Sequence, residues 1–565
     1  MALDVNDIVE LVKEKERETF QELYDQMDAD YDIWNLKSRV FDDHKQYINV
    51  TSNEPRTYAN SVMAQVVNSP RQISVKIPDA MGNVDQIALG NDLERFYEFA
   101  FKKADLRLRR LLEPNLLDAV AWYAFLRGEA AVRPLIYQLG DKIIFDIRAL
   151  DPRHLTYEIG GDGVDWYAYT TYRTKKSIES EYKKDVGEQG QRYIEVIDYW
   201  DKKVNITCTP SEMLRKPKPH KLKRVPVVIS PVATRPVIAS SGEGILLKGS
   251  RESIMSSNRE EYYLNDQLLS IAATHANLRA KMPMVNYFDP DQGGEPITQP
   301  VWVPGTLMNL PMRGNKIEEL PFPDIPRSLE TMIGQTQGRI QRGARSYVSF
   351  GQLSFELSGT ALNQLMQTQL LALSPYLRAI DFLYEDICWL LSEQVQMGGY
   401  MVDVQGEDKE GKFYTYQVGP ESFPDNFYIE ISHDPVTSWM NLERLQTIEM
   451  GTRLGVFSLA TAREEVAKLP DAQSEKKKIL LEKLEEQFPE LMIDDGIEAL
   501  IAQGRMKQAA ILGQKFQQML QQTAMEGGGP EQGMPPPEGG MPEQGMPPPG
   551  GMPIPGASPG AGAPI

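Results

Sequence analysis

At 565 residues the chain exceeds what one ordinary hydrophobic core organises, so several subdomains are expected. Its 60 basic and 79 acidic residues leave a formal charge of −19, which argues against sequence-independent adhesion to nucleic acid as its main surface property. The only two cysteines, Cys208 and Cys388, lie far apart in sequence, which excludes a disulfide framework and a multi-cysteine metal site. The opening stretch MALDVNDIVELVKEKERE is acidic and helical in pattern, without the apolar core of a signal peptide. No window approaches the 18 consecutive apolar residues of a membrane span. The expectation is a soluble protein of a reducing cytoplasm, with no membrane partner.

Residues 4–27 place Val5, Ile8, Val9, Val12, Phe20, Leu23, Tyr24 and Met27 at helical spacing, a surface helix that Asp4 or Asn6 would cap. A short helix is predicted over Tyr58–Ser69 and a strand over Gln72–Pro78. Residues 90–127 read as two helices parted near Pro114, carrying basic Lys102, Lys103, Arg107, Arg109 and Arg110 as a solvated or subunit-facing patch. From Ala130 to Tyr199 the apolar period drops towards two, in runs such as KIIFDIRAL, DWYAYTTYRT and RYIEVIDYW. That pattern predicts an antiparallel meander interrupted by a helix near Lys176–Lys184. The basic run RKPKPHKLKR at 215–224 reads as an extended loop, because its prolines disfavour helix. After the apolar VPVVISPV (225–232), a helix is expected from about Ile245 to Arg279. Residues 283–326 mix short β-like pieces with prolines and glycines, as a compact β-rich insertion would. A returning helix over Arg327–Arg345 brings Arg339, Arg342 and Arg345 onto one third of its circumference. Its glycines 334, 338 and 343 each weaken it by about 1 kcal/mol relative to alanine, so it should lean on neighbours.

The stretch Ser346–Tyr400 changes character part-way. Its beginning is poor in charge and holds Tyr347, Val348, Phe350, Leu353 and Phe355 beside Gly351 and Gly359, the composition of an apolar loop. Beyond Ser358-Gly359-Thr360, Leu373, Tyr376, Ile380, Leu383, Ile387 and Leu390 recur in steps of three and four along one helix stripe. About 39 helical residues would span roughly 58 Å. Pro375 predicts a kink or break near Ser374. Strands follow over 401–431, then amphipathic helices at Asn441–Leu454, Ala460–Leu469, Glu475–Gln487 and Ile497–Met519. The Gly/Pro/Met-rich end, with PEQGMPPP at 530–537 and again at 542–549, lacks the apolar content to bury a core and is expected to be disordered.

Signals for catalysis are missing. No glycine-rich loop ends in Lys-Ser or Lys-Thr, no nucleophile elbow occurs, and His44, His154, His220, His275 and His433 show no paired metal-ligand spacing. Carboxylate pairs such as Asp42-Asp43 and Asp494-Asp495 read as surface features, and Cys388 as a packed thiol. The prediction is therefore of no enzyme, with no catalytic residue, cofactor or metal.

Three stretches carry a resemblance. They are VPVVISPV followed by SGEGILLKGSRESIMSSNREEYYLNDQLLS (240–269), GARSYVSFGQLSFELSGTALNQLMQTQLLALSPYLRAIDFLYEDI (343–387), and LGVFSLATAREEV (454–466). In this order the chain resembles the portal proteins of tailed double-stranded DNA bacteriophages. The resemblance implies an α+β portal-like fold with an α/β wing at 1–240, a first stem helix within 241–282 and a β-rich clip at 283–325. It further implies a second stem helix at 326–345, a tunnel loop at 346–358, a long kinked helix with wing strands at 359–436, a helical crown at 437–524 and a disordered tail at 525–565. It implies a dodecameric ring of identical subunits at one capsid vertex of the virion, assembled in the bacterial host cytoplasm. Double-stranded DNA would pass through its channel during packaging and ejection. Terminase, a head–tail adaptor, and the major capsid protein or scaffold would be its partners. Tyr347, Val348, Phe350, Leu353 and Phe355 then become tunnel-loop residues, and Trp302 a candidate clip contact. Arg339, Arg342 and Arg345 are open to two readings, contact with DNA or pairing with Glu260, Glu261 or Asp266 of an adjacent stem helix. Two other functions remain: an adaptor ring through which no DNA is translocated, and a nucleic-acid-processing enzyme.

Overall fold

The computed structural model describes residues 4–38, 40–41, 47–78, 84–186, 192–232, 236, 238–240, 244–247, 250–280, 284–288, 291, 315–319, 326–343, 359–407, 413–433 and 438–454, with positions 456, 458, 459, 462 and 479. The chain divides into two units, Met1–Pro470 and Asp471–Ile565, and the elements below all belong to the first.

The amino-terminal pattern folds as α1 (Val5–Lys15), a π turn (Glu16–Phe20) and α2 (Gln21–Trp34). Asp4 caps α1 by accepting from the Val5 N–H at 2.7 Å, and the Asp7 side chain accepts in turn from the Asp4 N–H. Then come α3 (Glu54–Val67), β1 (Arg71–Lys76), α4 (Val84–Arg110) and α5 (Leu116–Arg127). The period-two region gives β2 (Glu129–Leu139), β3 (Lys142–Leu150), β4 (Leu155–Gly160), β5 (Gly163–Arg173), α6 (Lys175–Tyr182), β6 (Ile194–Asp201), β7 (Val204–Cys208) and β8 (Met213–Pro219). Next are β9 (Val228–Pro231), β10 (Ile238–Ser240) and β11 (Gly244–Leu246). The chain continues through α7 (Arg259–Ala280), β12 (Met284–Phe288), β13 (Asn315–Glu319), α8 (Arg327–Gly343), α9 (Gly359–Gly398), β14 (Val402–Glu407), β15 (Phe413–Val418), β16 (Tyr428–His433) and α10 (Ser438–Arg453). The fold mixes helix and sheet, as expected.

The single antiparallel meander expected over Ala130–Tyr199 is divided: β4 to β8 form a meander in chain order that extends to Pro219, while β2 and β3 belong to a second sheet in which β2 sits between β3 and β9. The exposed side of α1 and α2 is charged. Their apolar side buries Ile8 and Val12 against Ile197, Tyr199 and Ile206 of the meander, and Phe20, Tyr24 and Met27 beside Leu155, Tyr157 and Tyr167. The largest core is organised by α9. Its stripe Leu373, Tyr376, Ile380, Leu383, Ile387 and Leu390 is buried among side chains of α4, α5 and β2. Tyr376 stacks on Phe125 with ring centroids 4.6 Å apart, and Tyr384 meets Phe101 edge-on at 5.0 Å. Strand β16 closes the unit by pairing with β1, matching Ile431 to Ile73 and Ile429 to Val75.

Three local expectations are corrected. Of the kink or break expected near Ser374, the break does not occur: helix α9 is continuous through Pro375. The carbonyl that a proline at 375 leaves unbonded belongs to Leu371, which is 72% exposed and open to water, while buried Leu373 and Tyr376 hold both sides of the proline in place. The helix expected from Ile245 begins instead at Arg259, because residues 244–246 pair with β10. Ser256, Ser257 and Asn258, residue types that favour helix starts, stand just before the true beginning. The basic run at 215–224 is not wholly a loop, since Arg215–Pro219 belongs to β8 at the edge of the meander, where proline's missing N–H is tolerated.

Candidate functional site

Helices α7 and α8 lie antiparallel: Asn258 Nδ2, beside the start of α7, donates to the Ile340 carbonyl near the end of α8 at 3.0 Å. At their other ends the chain passes into β12 and β13, an antiparallel pair matching Met284 to Glu319 and Phe288 to Asn315. With 22 residues, α7 is about 33 Å long. The arm formed by these elements is anchored by residues 250–258. Arg251 and Glu129, 5% and 1% exposed, form an ion pair in the interior. The guanidinium also donates to the Tyr157 hydroxyl at 2.6 Å. Burial pushes the Glu129 carboxyl up, with Arg251 and Tyr157 opposing it.

The same segment is tied to its neighbours on every side. Ser253 Oγ donates to Asp30 Oδ2 at 2.7 Å, the Ile254 N–H to the Phe125 carbonyl at 2.8 Å, and the Tyr376 hydroxyl to the Glu252 carbonyl at 3.2 Å. Arg259, the first residue of α7, holds Asp30 with Nη2 at 2.8 Å. Gly128 ends α5 at φ +70°, where a Cβ would come within 2.8 Å of the Arg251 backbone. Gly343 accommodates Asn258 likewise, since a Cβ there would stand 2.1 Å from Asn258 Oδ1. This close approach explains one of the glycines that weaken α8.

A second fastening runs along α7. Residues 48–52 donate alternate amides to its side chains: Ile48 N–H to Thr274 Oγ1, Val50 N–H to Ser270 Oγ and Ser52 N–H to Asp266 Oδ1, each at 2.9 Å. Two residues of extended chain advance about 6.7 Å and four of helix about 6.0 Å, so the two backbones stay in step across three bonds. Burial pushes the Asp266 carboxyl up to about 6; the Ser52 N–H works against this and Glu54 adds to it.

Of the three arginines expected on a stem helix, Arg339 Nη1 lies 3.4 Å from Glu261 Oε1, and Arg342 Nε donates to the Gly338 carbonyl at 3.2 Å. Arg345, Trp302 and the apolar loop residues Tyr347, Val348, Phe350, Leu353 and Phe355 lie outside the described residues, as do 525–565 and most of the proposed crown. Arg107 leaves the basic patch and turns inward to Asp146 Oδ1 at 3.0 Å and the Tyr137 hydroxyl at 2.9 Å. It joins a network in which Arg133 bridges Asp146 and Asp198, at the floor of a cleft of about 770 Å³ between the β2–β3 hairpin and the meander. Burial pushes the Asp146 carboxyl up, but Arg133 and Arg148 outweigh it and hold it below the usual range. Burial also pushes the Cys208 thiol up to about 11 and raises Cys388. Among the described residues no His, Cys, Asp or Glu side chains converge as a metal site, and no helix is long and apolar enough to cross a membrane.

Of the residues that anchor the arm, sequence reasoning singled out Asp266 alone, as a partner for arginines, whereas the structure gives it the Ser52 amide. Asp266, Ser270 and Thr274 do stand at i, i+4 and i+8, a visible polar line, but nothing in the sequence names the segment that occupies it.

No protein-family model matches the chain. No curated protein matches it either. Among solved structures it is similar to a chain from the neck of an empty GTA particle computed with C6 symmetry, at 11% identity and a TM-score of 0.40, covering 74% of this chain and 90% of that one. It is similar to a chain of the virion of a native gene transfer agent particle at 12% identity and a TM-score of 0.40, covering 73% and 89%. A chain from the neck of a native GTA particle computed with C12 symmetry follows at 13% identity and a TM-score of 0.33, covering 73% and 98%. Likenesses this distant define no shared residues and no shared activity.

Proposed function

We propose that the chain is a portal-type subunit of a phage-like particle, one of a ring of identical copies around an axial channel for double-stranded DNA. The observation that carries this reading is the arm: two antiparallel helices meeting a two-stranded tip, anchored at their base, and followed by the 40-residue helix α9. The portal resemblance assigns these parts to stem, clip and the long helix beneath the tunnel loop, in the same chain order. The buried Arg251–Glu129 pair and the amides along α7 suit an arm that must keep its angle while a polymer moves past it. Net acidity suits a channel that must not grip phosphate. The clip at 283–325 would dock terminase and later a head–tail adaptor.

Electron microscopy of the purified full-length chain tests the ring: class averages with a central hole and cyclic symmetry are expected, and a chain that remains monomeric overturns the proposal. DNA passage is tested separately in assembled particles by changing Phe350 and Phe355 to glycine. Rings should still form while packaged DNA falls, and a normal DNA content would leave the adaptor-ring reading in its place.

A further inference from the structure

The corner between α4 and α5 combines features that a lone chain has no use for. Arg109 and Arg110 are exposed there, as are Lys102 and Lys103 about two turns earlier on α4, and among the described residues none of the four forms an ion pair. Arg109 Nε donates only to Asn115 Oδ1 at 2.9 Å, and Lys103 lies over the Phe99 ring at 4.9 Å. Beside these cations Leu111 and Leu112 are 45% and 94% exposed, and Leu112 takes φ +59°, a left-handed conformation that is unfavourable for a branched side chain. Arg109 and Arg110 beside two exposed leucines, with Glu113 the acid next to them, make a largely basic and apolar corner in a chain of charge −19.

The same chain carries the opposite surface. On α1 and the π turn, Glu10, Glu14 and Glu18 recur at steps of four on the exposed side, with Asp25 two turns further on and Lys13 and Arg17 the cations among them. The buried side of these helices packs on the meander, which leaves Glu10, Glu14 and Glu18 exposed on the outer face.

We infer that the α4–α5 corner of one copy docks on the acidic outer face of α1 and α2 of a second copy. The two surfaces differ, so the contact is head-to-tail, and repeating it produces a ring where the rotation closes. Opposite charge sets the register, and the leucines supply the apolar centre of the contact. The inference rests on the ring reading and names the surfaces that would make it.

Charge reversal tests it on the full-length chain. Arg109→Glu with Arg110→Glu places acid against acid, and Glu14→Arg with Glu18→Arg places base against base. Each double variant, with far-UV circular dichroism like that of the wild type, should weaken association at least tenfold by light scattering after gel filtration. Mixing the two in equal amounts makes both contacts complementary again and should restore assembly. Assembly of either variant at wild-type strength, or a mixture that stays dissociated, overturns the inference while leaving wild-type rings intact. Duplex DNA that binds the wild type and is lost with Arg109→Glu and Arg110→Glu, while assembly is unchanged, overturns it in favour of a nucleic-acid surface. A monomeric wild type overturns the ring reading as well.

Discussion

Arg251 and Glu129 are two charges held in the interior, where each depends on the other. Desolvating both is costly, so the pair contributes little net stability, but removing one partner leaves an uncompensated charge. Arg251→Met should therefore destabilise the unit by about 3–5 kcal/mol, read as a lower urea midpoint. Adding Glu129→Leu should recover much of that loss, because the orphaned carboxylate goes with it. A double variant no better than the single one would show that Arg251 acts through packing alone. Neither residue stands out in the sequence, since an arginine among serines looks like surface. Arg107 misleads in the opposite way: it appears to belong to a basic patch with Arg109 and Arg110, yet one helix turn directs it into the Asp146 network. Charge type is legible from sequence, but the direction a side chain faces depends on what the helix packs against.

At the scale of elements, the strap over residues 47–53 is the most responsive part of the anchored arm. Tyr47, Ile48, Asn49 and Asn53 are exposed and Val50, Thr51 and Ser52 half-buried, so the three amide bonds to α7 hold it with little apolar burial to help. Burial raises the Asp266 carboxyl to about 6, above its ordinary value near 4, so the folded chain favours the protonated form. The stability this contributes is complete below the ordinary value and is lost as pH rises through about 6. Asp266→Asn keeps an acceptor for the Ser52 amide and removes the charge. It should melt a few degrees above the wild type at pH 8 and level with it at pH 4, as followed by circular dichroism. Equal melting at both values would mean that the carboxylate is better solvated than its burial implies. Helix α9 gives the complementary lesson. Its apolar stripe was readable residue by residue, whereas Pro375 pointed to a kink or break, and the helix continues through it with Leu373 and Tyr376 buried on either side.

At the scale of the molecule, the amino-terminal core is completed by elements late in the chain. Strand β1 pairs with β16, and the face of α5 bearing Phe125 is covered by Tyr376 of α9. A chain ending at residue 358 should therefore lose its cooperative thermal transition and bind hydrophobic dye. A chain ending at residue 470 should retain the transition, since it keeps the whole first unit. Persistence of the transition in the shorter chain would show that α9 is an addition to an already stable core. The sequence by itself determined the kinds of element, their order and most of their apolar faces: the period-two strands and the stripe on α9 were readable from the spacing of apolar residues, and the insertion between two helices from its prolines and glycines. Those features are local, because backbone periodicity alone sets which side chains share a face. Only the tertiary structure decided that residues 250–258 form a buried polar anchor, that residues 47–53 run in step with α7, and that β1 has β16 as its partner. Each of these joins residues distant in the chain, and a polar side chain shows its partner only once the fold has brought the two together.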